Sequence, residues 1–152
     1  MRLALFQPDI PQNVGAAIRL TACLGVPLDV IEPCAFPLND RALRRAALDY
    51  GSLARMTRHD SWADFIAASA HGESRLVLMT TKAAIPLSEI GFESGDILIM
   101  GAESSGAPDF VHAAAALRVR IPLVAGARSL NVVTAAAIAL GEALRQTGGF
   151  AG

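Results

Sequence analysis

Apolar residues fall along this chain in short dense runs, separated by segments in which they recur every three or four positions. Five or six runs read as strands: Arg2–Phe6, Leu28–Glu32, Leu53–Thr57, Arg75–Thr80, Asp96–Met100 and Val119–Leu123. Their hydrophobicity is continuous rather than alternating, the pattern of a parallel sheet covered on both faces. Helical patterns lie between them. Asn13–Leu24 follows Pro11 and stops at Gly25, and Asp40–Leu48 follows Asn39, a good N-cap. Trp62–Ser69 follows Ser61, with Asp64 three residues on, and the last helix runs from Leu130 to Gln146 before Gly148-Gly149. Strands alternating with helices define an α/β layer fold. No repeat, low-complexity tract or linker interrupts the pattern, so one domain over residues 1–152 is expected.

Composition adds one departure. Hydrophobic residues make up 53% and charged residues 18%, which is apolar for a chain of 152 residues. The richest apolar run, Val132 to Leu144, falls short of the roughly 20 residues that span a membrane. It reads instead as a helix covered by a second subunit or buried in the core. The N-terminus reaches Pro8 and Asp9 before a signal-peptide hydrophobic region can form, so a cytoplasmic protein is expected. Cys23 and Cys34 form no paired or metal-like motif and read as reduced thiols. Net charge is −1, so nucleic-acid binding would need a local basic patch.

Three stretches carry candidate chemistry, each a loop beside a strand end, where open α/β sheets bind ligands. Pro11-Gln12-Asn13-Val14-Gly15 runs into a helix bearing Arg19. Met100-Gly101-Ala102-Glu103-Ser104-Ser105-Gly106 is a glycine-flanked turn with one carboxylate. Ile121-Pro122-Leu123 leads to Arg128-Ser129-Leu130-Asn131 at a helix start. Several classes are disfavoured. No Lys-Ser/Thr follows Gly106, which disfavours an ATPase P-loop, and no G-x-G-x-x-G follows the first strand. His59, His71 and His112 lack metal-ligand spacing, so no metal is expected. Asp9 alone does not make a phosphoreceiver's acidic pocket. Taken singly, each stretch has a plain structural reading: Asn13 and Ser129 as helix caps, Glu103 and Arg19 as solvated charges.

In order and together, the stretches resemble the motifs of the SPOUT RNA 2′-O-ribose methyltransferases, in particular their short wobble-position tRNA (cytidine/uridine-2′-O) branch. Ile31-Glu32-Pro33, Asp40 to Tyr50, and Thr80-Thr81-Lys82 extend the likeness over nearly the whole chain. The resemblance implies an α/β fold whose C-terminal segment forms a deep trefoil knot, a homodimer, S-adenosylmethionine as methyl donor and tRNA as substrate. Met79, Thr80, Gly101, Ile121, Ser129 and Leu130 would line the cofactor pocket. Arg19 would serve the ribose and its phosphate, with Asn131, Glu103, Asn13 and Ser129 shaping the site. The chain departs from the branch at Ser104-Ser105, where an arginine is usual, and at Gly141, where a tyrosine is usual.

Arg41, Arg44 and Arg45 are spaced to share a helix face. With Arg55, Arg58 and His59 they form a candidate strip along a tRNA stem, or else a solvated charged face. Three other readings compete: a SPOUT enzyme acting on another tRNA position or on ribosomal RNA, a non-catalytic RNA-binding module of the same fold, and a small-ligand regulatory domain without RNA.

Overall fold

In a computed structural model of the protein, the structure describes residues 1–38, 50, 54–68 and 74–151. The expected helix over 40–48, with Arg41, Arg44 and Arg45, lies outside the described residues. The chain order is β1 (Arg2–Phe6), α1 (Pro11–Leu24), β2 (Leu28–Ile31), β3 (Met56–His59), α2 (Trp62–Ala67), β4 (Leu76–Met79) and β5 (Ile85–Pro86). A 3₁₀ turn at Leu87–Glu89 leads to β6 (Ile97–Met100), α3 (Asp109–Ala114), β7 (Leu117–Arg120) and α4 (Val132–Thr147).

The strands form one sheet in the order β3-β2-β1-β6-β4-β7-β5, and every neighbouring pair is parallel. One face buries Leu3, Leu5, Val77, Leu98 and Val119 under α1 and α4. The other buries Ala4, Phe6, Leu78, Ile97 and Ile99 under Phe65 of α2 and Val111 of α3. Helices on both faces explain why the central strands carry unbroken apolar runs. Charges buried in the sheet are paired: Asp29 accepts from Arg2 at 2.8 Å and lies 2.9 Å from His59, and Asp96 is held by Arg75 at 2.8 Å.

Differences from the sequence expectation concentrate at the sheet margins. β3 begins at Met56 rather than Leu53, because an edge strand pairing only with β2 leaves Thr57 and Arg58 exposed and its apolar content does not mark its register. β7 begins at Leu117 rather than Val119, its two arginines lying on the less covered face. Neither β5 nor α3 was expected. The first is two residues long, and the second is a six-residue helix opened by Pro108. At the N-terminal side, α1 starts at Pro11, where a missing N–H costs nothing.

The order of strands matters for function. β1 lies between β2 and β6, and β6 between β1 and β4, so the carboxyl ends of β1, β6, β4 and β7 open onto common ground. Chain connections diverge there, the position at which open parallel sheets form a crevice.

Candidate active site

A cleft of about 560 Å³ occupies this position. Its walls come from the turn after β4 (Thr80, Thr81, Lys82), the turn after β6 (Gly101 to Gly106), and the segment after β7 (Ile121, Leu123, and Arg128 to Val132). Ile10 and Asn13 enter from the start of α1, and His112 from α3.

Each turn has a local cause. After β4, the Thr80 side chain accepts from Lys82 N at 3.3 Å and the Thr80 carbonyl from Ala83 N at 3.3 Å. After β6, Ala102 and Gly106 exchange backbone hydrogen bonds of 3.1 and 2.8 Å, with Gly106 at φ +72°. The closure leaves no room at Gly101: a Cβ there would lie 2.5 Å from the Gly106 carbonyl carbon and 2.6 Å from Ala107 N.

A continuous set of hydrogen bonds ties the start of α1 to the turn after β6 and the segment after β7. The Asn13 amide donates to Glu103 Oε1 at 2.7 Å, and its carbonyl oxygen accepts from Asn131 Nδ2 at 3.0 Å. Asn131 Oδ1 in turn accepts from Val133 N at 2.9 Å and Thr134 N at 3.2 Å, capping α4. At the other end, Glu103 Oε2 accepts from Asp9 N at 3.2 Å, while Asp9 Oδ1 accepts from Glu103 N at 3.1 Å. Asp9 Oδ2 also accepts from the Ser104 amide at 3.1 Å and from the Ser104 hydroxyl. The two carboxyl groups divide unequally between charge states. Burial, then the Asp9 carboxyl, push Glu103 up from its ordinary value, with Asn13 opposing. Asp9 is held far below its ordinary range by the hydrogen bond with Glu103 and then by Ser104.

Of the residues singled out as catalytic or cofactor-binding, Asn13, Met79, Thr80, Gly101, Glu103, Ile121, Ser129, Leu130 and Asn131 all line this cleft. Arg19 does not. Six residues beyond Asn13, it is turned roughly 120° away around α1, exposed, with its guanidinium 5.7 Å from the Tyr50 ring centroid. Two simpler readings are corrected. Asn13 is not a helix cap but the third residue of α1, 9% exposed. The cap of α4 is Asn131, not Ser129, which stands exposed on the cleft wall. Arg58 is not turned into the cleft; it donates to Glu32 at 2.7 and 2.9 Å and to the Leu38 carbonyl at 3.0 Å. Asp9, set aside in the sequence as too little for a phosphoreceiver's pocket, joins the site network. An acid just after β1 gains meaning only once β6 is known to lie beside β1.

The sheet order and the looped cleft define the class as an α/β ligand-binding domain with its site at the strands' carboxyl ends. The SpoU rRNA Methylase family matches residues 1–141, and the chain belongs to that family. It is 53% identical, over 98% of its length and 93% of the relative's, to a tRNA (cytidine(34)-2′-O)-methyltransferase of Beijerinckia indica subsp. indica. A solved structure described as giving insight into the 2-OH methylation of C/U34 on tRNA superposes with a TM-score of 0.88 at 40% identity, covering 95% of this chain and 94% of that one. An AdoMet-bound rRNA methyltransferase from Sinorhizobium meliloti superposes with a TM-score of 0.83 at 26% identity, over 95% of this chain and 55% of its own.

Proposed function

We propose that this chain is a tRNA 2′-O-ribose methyltransferase that transfers a methyl group from S-adenosylmethionine to the wobble nucleotide, cytidine or modified uridine. The observation that carries the reading is the near-full-length identity to a tRNA (cytidine(34)-2′-O)-methyltransferase. The cleft agrees with it: Met79, Ile121, Leu123 and Leu130 offer an apolar wall, and the turn backbones and Thr80 and Ser129 offer polar atoms. That mixture and size suit an adenosyl group. The proposal includes one domain, a C-terminal trefoil knot around this pocket, and cytoplasmic action. Among the described residues, no helix is long and apolar enough to cross a membrane.

When bound, S-adenosylmethionine supplies an electrophilic sulfonium methyl. The chain's own contribution is position and charge. Asn13, Glu103 and Asn131 hold the start of α1, the turn after β6 and the segment after β7 together, and holding reactants at near-attack distance supplies much of the acceleration. The guanidinium of Arg19 is a fork of N–H donors with no acceptor to take up a proton. It therefore clamps the phosphate and stabilises charge developing on the ribose oxygen, while a phosphate oxygen or water takes the proton.

Because Arg19 lies outside its own chain's cleft, this role is assigned to a homodimer. α1 packs beside α4, and their outer positions include small and apolar residues: Ala16 and Cys23 on α1, and Ile138 on α4 at 43% exposure with Ala137 and Gly141 near it in sequence. That face suits close helix approach by a second copy. In the test, labelled methyl from S-adenosylmethionine is offered to bulk tRNA from a strain lacking the protein. Incorporation that falls at least tenfold in Arg19→Lys, which keeps the charge but loses the planar fork, is the expected result. Near-normal turnover of that variant contradicts the clamp, and no incorporation by the wild type contradicts the reaction.

A further inference from the structure

Most described arginines are occupied within the chain. Arg2, Arg55, Arg58, Arg75 and Arg145 each donate to a carboxylate or a carbonyl. Lys82, Arg118, Arg120 and Arg128 differ: among the described residues, none of the four has an acidic partner. They are also close in the fold. Lys82 and Arg128 stand on the rim of the cleft, both exposed. Arg118 and Arg120 belong to β7, whose carboxyl end leads directly into the cleft wall at Ile121.

Strand alternation fixes where the two arginines point. Val119 faces the core under α1 and α4, so Arg118 and Arg120 project from the opposite face, the side covered by α3. α3 sends His112 into the cleft from that same side. Among the described residues the sheet continues beyond β7 only as the two-residue β5, and Arg118 is exposed and Arg120 half-buried. The two side chains are about 6.6 Å apart along the strand at ~3.3 Å per residue. Four unpaired cations thus run from the outer face of β7 to the mouth of the cleft, in a chain whose net charge is −1.

We infer that this strip binds the ribose-phosphate backbone of the RNA next to the target nucleotide and leads it between Lys82 and Arg128 into the cleft. Arginine forks match phosphate oxygens in pairs, and a local patch is the form that RNA affinity must take in a weakly acidic chain. Its residues are other than Arg41, Arg44, Arg45 and Arg58. It rests on the RNA-methyltransferase reading and adds a surface to it.

The test measures tRNA binding from 50 to 200 mM salt for the wild type, Arg118→Ala/Arg120→Ala and Arg118→Lys/Arg120→Lys, with S-adenosylmethionine binding measured in parallel. Loss of two backbone contacts lowers the slope of log affinity against log salt by about 1.4 for single-stranded RNA, so the fourfold rise in salt costs the alanine variant about 7-fold less affinity than it costs the wild type. The lysine variant keeps most of the slope, and cofactor affinity is unchanged in both. The loop pair Lys82→Ala/Arg128→Ala gives a second reading on residues outside any strand, should the β7 variant fail to fold. Slopes equal to the wild type's in both pairs, with tRNA still methylated, overturn the strip and leave the methyltransferase reading standing. A wild type that neither binds nor methylates tRNA overturns both.

Discussion

Asn13 bonds at once to Glu103 and Asn131, residues far from it in the chain, and so links the start of α1 to two loops of the cleft. A side-chain amide suits this place because it both donates and accepts, and it carries no charge to desolvate at 9% exposure. Glu103 is the group whose titration reports on the network. Its pKa is raised in the folded chain, so the folded state keeps the proton to higher pH than the unfolded state. Stability from this group therefore falls as pH climbs from the ordinary value of 4.5 through the raised one. Asp9 acts oppositely: its depressed value gives stability that is present above the unfolded pKa and lost as pH falls through the folded one. Glu103→Gln removes the first effect. Urea unfolding at a series of pH values should show the variant gaining on the wild type as pH rises above 4.5. A difference constant with pH would contradict the raised pKa of Glu103. The sequence offered Asn13, Glu103 and Asn131 as motif residues, but not their mutual bonds, because local spacing carries no information about which strands are neighbours.

At the scale of elements, the turn after β6 shows how little freedom the site has. Gly101→Ala would force the Gly106–Ala107 backbone to move, since backbone atoms cannot swing aside as a side-chain tip can. A cost of about 1–3 kcal/mol is expected for such overpacking, together with weaker S-adenosylmethionine binding. Chemical denaturation and calorimetry check the two; if neither changes, the turn is not the constraint described. Elements differed in how plainly the sequence announced them. β1, β2, β4 and β6 lie centrally, and their apolar runs match the observed strands to within a residue at either end. β3 and β7 lie toward the margins, and were displaced in the expectation because one face of each meets water. α3 is too short for its period to register, and Pro108 opens it.

At the scale of the whole molecule, the apolar composition has a place. α4 buries Ala136, Ala139, Leu140, Ala143 and Leu144 against the sheet and leaves Ile138 outward. In the proposed dimer that outer face meets its copy, and Ile138→Lys places a charge there. Sedimentation should show a dimeric wild type and a monomeric variant with S-adenosylmethionine affinity changed less than its methyl transfer. A variant that remains dimeric would move the interface elsewhere. The parallel α/β architecture was legible because strand burial writes itself into composition; the cleft's lining residues were legible as motifs, but not which loops meet, because that is decided by strand order.

The most direct test is nucleoside mapping of tRNA from cells lacking the protein, supplied with the wild-type chain or with Arg19→Ala. A 2′-O-methyl pyrimidine at the wobble position, restored by the wild type and absent with the variant, is the predicted result. Wobble methylation that is unaffected by removing the protein would contradict the account.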